Sequence, residues 1–108
     1  MGMGPQLTSK GDEPMKLKDV AKISTNMSDA DFWITRKGSL ETVGKPVKSF
    51  DAEKIGIKVT RTDILLPDYL FYAIEYLWVR GSFKQLSRGT TNLVNIKVED
   101  VANISLGV

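Results

Sequence analysis

The residues best suited to chemistry in this chain are cationic and fall in two stretches. Ser82–Lys97 (SFKQLSRGTTNLVNIK) carries Lys84, Arg88 and Lys97 and no acid. Ile34–Lys48 carries Arg36, Lys37, Lys45 and Lys48 against Glu41 alone. Both are interleaved with Gly, Ser, Thr or Asn, the residues of turns and polar loops. Guanidinium and ammonium groups neutralise phosphates, hydroxyls bond phosphate oxygens, and Arg or Asn can pair with base edges. Arg88 and Asn92 suit base edges. Lys84, Thr90 and Thr91 suit phosphates, and Arg36 and Lys37 add a second basic cluster. Polar loops of this kind also decorate ordinary solvated surfaces, so the residues alone leave both readings open. A net charge of only +2 argues against tight non-specific attachment to a polyanion.

Most catalytic chemistry is excluded by composition. The chain has no cysteine and no histidine. Disulfides, thiolate nucleophiles, histidine general bases and the usual transition-metal ligands are therefore absent. An enzyme built on this chain would work with carboxylates, lysine or tyrosine. Asp29 and Asp31 form one closely spaced carboxylate pair, and Asp51 and Glu53 another. Both fall in apparent loops without further ligands nearby. Glu99 and Asp100 open the last short helix, where they complement its dipole. Neither glycine-rich phosphate signature, GxxxxGK[ST] or GxGxxG, occurs. The expectation is a non-enzyme with no catalytic, cofactor or metal site. No apolar run approaches the ~18–20 residues that span a bilayer. There is no secretory pattern either, so a soluble, cytoplasmic protein is expected.

The elements that must position the cationic residues follow from periodicity. Residues 1–14 are glycine-rich and polar, and read as a disordered leader or in part a cloning remnant. Residues 15–108 read as a single domain. DFWITR (31–36), Leu40–Val43, Val47–Phe50 and Ile55–Thr60 are strand candidates. In IGIKVT the apolar Ile55, Ile57 and Val59 alternate with Gly56, Lys58 and Thr60, the pattern of a half-buried strand. The main helix spans 66–86, with Pro67 in its first turn and Gly81 ending or bending it. Leu70, Ala73, Ile74, Leu77 and Trp78 share one face. SRGTTN (87–92) reads as a polar loop, Leu93–Ile96 as a strand and ISLGV (104–108) as a closing strand. Phe32 and Trp33 either stack on bases or divide between core and surface. Tyr69, Tyr72 and Tyr76 either pack the helix with their hydroxyls at the rim or form a partner surface.

A repeat brackets these elements. KLKDVAKIS at Lys16–Ser24 and KVEDVANIS at Lys97–Ser105 share six of nine positions. Each reads as a short helix running into a strand, with Val and Ile buried on a common core. Chance likeness of two amphipathic segments is the alternative. Placed side by side, the copies would feed neighbouring strands where the domain closes. The predicted fold is α+β: a small, mostly antiparallel sheet packed on one long helix, with short helices near both ends.

The order of these segments resembles the target recognition domain of type I restriction–modification specificity subunits. Such domains open with a segment like L-x-D-V-A-x-I, here Leu17-Lys18-Asp19-Val20-Ala21-Lys22-Ile23. Their long helix follows a segment like L-x-P-E-Y-L-Y-Y-x-L, here Leu65-Leu66-Pro67-Asp68-Tyr69-Leu70-Phe71-Tyr72-Ala73-Ile74. A glycine-containing polar loop comes next, here Gly89-Thr90-Thr91-Asn92. The close is like I-x-x-x-x-L-x-x-I-x-[IL]-P, here Ile96 to Leu106, with Gly107 in place of the proline. The resemblance covers residues 15–106. The stretch before the long helix is short for the family, and its long spacer helix has no counterpart in this sequence.

The resemblance implies a compact, stand-alone DNA-recognition-type domain, of a phage or mobile element, binding duplex DNA without catalysis. Arg36, Lys37, Lys84, Arg88, Thr90, Thr91 and Asn92 are its candidate contacts. The competing expectation is a protein-interaction module of the same fold that docks on, or interferes with, a restriction–modification subunit.

Overall fold

A computed structural model describes residues 15–90 and 92–106. The expected leader, residues 1–14, lies outside the described residues. The chain folds as α+β, with two small antiparallel sheets in place of the single one expected.

The larger sheet is built from β1 (Ala21–Thr25), β2 (Phe32–Ile34), β4 (Pro46–Val47) and β5 (Ile55–Val59) in the order β1-β5-β2-β4. β5 is central because its apolar positions are wanted by both neighbours. Ile57 pairs with Ile23 on β1 and Phe32 on β2. Gly56 is buried with them, beneath Met27 and Ala30, so the strand is covered on both faces and not half-buried. Pro46, which lacks a ladder donor, sits on the edge strand where none is needed. Phe32 and Trp33 are both buried. Trp33 donates its indole N–H to the Met27 carbonyl at 2.8 Å and meets Phe50 edge-on, so neither ring is available for base stacking.

The main helix is α1 (Pro67–Val79), 13 residues long. Pro67 starts it, where a missing N–H costs nothing. Leu70 and Ile74 are fully buried, and Phe71 meets Phe32 edge-on at 5.3 Å. Gly81, in the left-handed region at φ 87°, ends the helix and turns the chain into α2 (Ser82–Leu86). α2 delivers the fully buried Phe83 to the core. Leu40–Val43, an expected strand, is a turn. The Thr42 hydroxyl accepts from the Ser39 amide at 3.1 Å, and Val43 N–H bonds the Ser39 carbonyl at 3.0 Å. These local bonds remove the groups a strand would have paired.

The smaller sheet has the order β3-β7-β6, from β3 (Lys37–Gly38), β7 (Leu93–Asn95) and β6 (Arg88–Thr90). SRGTTN is therefore not a loop: its Arg88–Thr90 segment forms a hairpin strand.

The two repeat copies lie side by side. Lys16 and Ser105 form an antiparallel bridge, Leu17 N–H bonds the Ile104 carbonyl at 2.9 Å, and Leu106 N–H bonds that of Met15 at 2.8 Å. The equivalent Val20 and Val101 are both buried in the one core. Their local forms differ. The first copy is a three-residue 3-10 turn, Leu17–Asp19, whose Asp19 carboxylate accepts from Lys16 N–H at 2.9 Å. The second is α3 (Val98–Ala102). Among the described residues only the first copy runs into a sheet strand. The expected closing strand reduces to the Lys16–Ser105 bridge among the described residues.

Candidate nucleic-acid interface

The small sheet gathers residues that are far apart in sequence. Asn95 on the central strand β7 pairs with Lys37 on one side and Arg88 on the other. Directly paired residues of an antiparallel sheet project to the same face. Val94, one step along, is buried against the core and is flanked by Gly38 and Gly89. Alternation thus points Lys37, Asn95 and Arg88 away from the core, as one polar row. Thr90 and Leu93 form the next pair on that face, and Leu93 is 79% exposed. Asn92 is exposed in the hairpin turn. Thr91 lies outside the described residues.

Gly89 makes the hairpin possible. Its φ of +117° is closed to most side chains, and a Cβ there would collide with the Leu93 carbonyl oxygen across the ladder. Arg88 is steered from α3. Its Nη2 lies 3.6 Å from Asp100 Oδ2, with the Arg88 side chain 59% exposed and that of Asp100 mostly covered. That oxygen is buried and has no hydrogen bond, and its ion partner among the described residues is the Arg88 guanidinium.

The remaining expected contacts sit elsewhere. Lys84 belongs to α2 and pairs with Glu41 at 3.4 Å, the residue whose carbonyl also accepts the Trp78 indole N–H. Arg36 is half-buried, and its carbonyl accepts Ile96 N–H at 3.0 Å, tying the residue before β3 to the residue after β7. Arg36 lines a hollow of about 140 Å³ with Lys37, Asp51, Glu53 and Lys54. Two carboxylates thus share its surroundings.

One carboxylate of each pair has a structural duty. Asp31 accepts Val59 N–H at 2.8 Å and lies 3.8 Å from Lys58. Asp51 accepts Glu53 N–H at 2.9 Å and lies 3.6 Å from Lys54. Among the described residues no group of three or more acidic side chains is placed to hold a metal ion. No helix there is long and apolar enough to cross a membrane.

Two residues of the candidate interface are not among the expected contacts: Asn95, and Asp100, which is expected only to complement its helix dipole. Asn95 had a signal, since Leu93 and Asn95 alternate with the apolar Val94 and Ile96. Asp100 had none, because its contact with Arg88 is made only by the fold.

No family model matches the chain, and no curated protein matches it. One solved structure shares its fold. It is the S subunit of a type I restriction–modification system from M. genitalium, with a TM-score of 0.62 and 13% identity. The likeness covers 94% of this chain and 36% of that subunit. At this identity it speaks for the fold alone: the chain has a fold like that of a target recognition domain.

Proposed function

We propose that the chain is a non-catalytic DNA-recognition domain that presents the outer face of the small sheet to duplex DNA. The observation that carries this is the row Lys37–Asn95–Arg88. Two interstrand spacings of about 4.8 Å set the outer strands roughly 10 Å apart. A B-form major groove is about 12 Å wide and admits a two-stranded β-ribbon, so the β6–β7 hairpin fits with β3 at one wall. Lys37 and Arg88 then face the phosphates or base edges at the two walls, and Asn95 faces the base edges between them. An asparagine amide pairs bidentately with adenine. Thr90 and Asn92 extend the contact at the hairpin tip. The S-subunit fold supports the same reading, because DNA and restriction–modification subunits are the partners such a fold suggests.

A second reading, a module that docks on a restriction–modification subunit, draws on the exposed tyrosine row of α1. Amide chemical-shift mapping with a random duplex separates the two. Shifts confined to β3, β6 and β7 support DNA recognition by the small sheet. Shifts along α1, or none, would remove it.

A further inference from the structure

The outward face of α1 carries an unpartnered seam. Tyr69, Tyr72, Tyr76 and Val79 are 64%, 62%, 63% and 71% exposed, which excludes the alternative that the tyrosines pack the helix with only their hydroxyls at the rim. Their spacing of three, four and three residues is the a-d-a-d pattern of a helix pair, here about one and a half heptads long. The opposite face of the same helix is already used, by Leu70 and Ile74. The seam is therefore additional to what the core requires.

The flanks say what covers it. With Tyr69 and Tyr76 at a, and Tyr72 and Val79 at d, Glu75 falls at g and Arg80 at e. In a parallel two-stranded pair the g residue meets the e residue of the other helix five positions on. Glu75 of one copy thus reaches Arg80 of another, twice by symmetry. In an antiparallel pair, like flanks meet, and acid would face acid. Among the described residues Glu75 makes no ion pair, whereas Asp68 on the same flank is partly compensated by Lys48 at 3.8 Å. The Arg80 guanidinium lies over the Tyr76 ring at 5.6 Å, alongside the seam. A hollow of about 470 Å³ beside Tyr69, Tyr72, Tyr76, Arg80 and Leu106 gives room for a partner's ring.

We infer that this face binds a second copy of the chain, α1 to α1, in parallel. The occupant is a like chain because one helix supplies both the apolar seam and the two complementary charges. The interface is isologous: each copy gives and receives the same contact. A seam this short buries less than the ~1,200 Å² typical of a stable complex. The exposed Ile64 lines a hollow with Tyr69 at the N-terminal end of the seam, and the association is weak and concentration-dependent. Two bound copies would also present two small sheets to one duplex, although the dimer stands without the DNA reading.

The chain lacks cysteine, so engineered thiols report cleanly. Tyr69→Cys and Val79→Cys should each cross-link to itself under mild oxidation, and sedimentation should show a monomer–dimer equilibrium. Glu75→Arg alone and Arg80→Glu alone should each shift that equilibrium to monomer. The double variant E75R/R80E should restore it. A chain that stays monomeric with no self-cross-link overturns the proposal. So does cross-linking only between the two different thiol variants when mixed, which marks an antiparallel pair, or a dimer indifferent to both single charge reversals. Circular dichroism of the charge variants confirms that these surface changes leave the fold intact.

Discussion

The Arg88 guanidinium lies 3.6 Å from the Asp100 carboxylate, joining the hairpin that carries the candidate contact to the second copy of the repeat. Asp100 holds the same place in its copy as Asp19 in the first, and the two do different work. Asp19 caps its own turn, whereas Asp100 reaches out to another element. The acid aims Arg88, and it also sets a negative charge beside the surface that meets phosphates. Asp100→Asn removes that charge at nearly constant shape. Binding to random duplex should tighten about two- to five-fold, the scale of one partly exposed ion pair. Weaker binding in an equilibrium titration would contradict this expectation and show that aiming Arg88 outweighs the removed charge.

Gly89 links geometry to function. A Cβ at this position meets the Leu93 carbonyl, so Gly89→Ala must pry β6 from β7. Strain of this kind costs about 1–3 kcal/mol. Amide exchange should quicken across Arg88–Asn95 while β5 and α1 keep their protection, and DNA affinity should fall with the hairpin. An unchanged exchange pattern would show that the turn absorbs the extra carbon.

Phe83 tests the core. It is fully buried, and its short helix exists to deliver it. Phe83→Ala should lower unfolding free energy by about 3–5 kcal/mol in denaturant titration. A loss under 1 kcal/mol would mean that α2 is dispensable to the fold.

Arg61 and Asp63 form a two-point pair at the surface, Nε to Oδ1 at 3.1 Å and Nη2 to Oδ2 at 2.9 Å. Hydrogen bonding from Arg61 holds the Asp63 carboxyl below its ordinary value. A depressed acid contributes stability above the ordinary aspartate range and loses it as pH falls through the folded value. A carbon-13 titration should show the Asp63 midpoint rising in Arg61→Ala. An unmoved midpoint would mean that the pair does not persist in solution.

Much of the architecture was legible because one physical cause dominated each element. Pro67 and the spacing of Leu70 and Ile74 mark α1, and the alternation in IGIKVT marks β5. The repeat marks two segments that meet on one core. The errors arose where local polar bonds or edge exposure outweighed pattern. The Thr42 hydroxyl makes Leu40–Val43 a turn. Arg88–Thr90 reads as a loop because an exposed edge strand needs no apolar alternation. Of the expected contacts, Lys37, Arg88 and Thr90 converge on one sheet with Asn92 at its turn, while Lys84 is tied to Glu41 on α2. Convergence of that kind depends on strand register, which spacing along the chain does not encode.

The most direct measurement is a fluorescence-anisotropy titration of random duplex DNA over a series of salt concentrations, with Lys37→Ala and Arg88→Ala beside wild type. Each phosphate contact contributes about −0.9 to the slope of log K against log salt. The sheet interface predicts binding that weakens with salt, and a shallower slope in each variant that loses a phosphate contact. No binding at low salt, or binding indifferent to both substitutions, would contradict it.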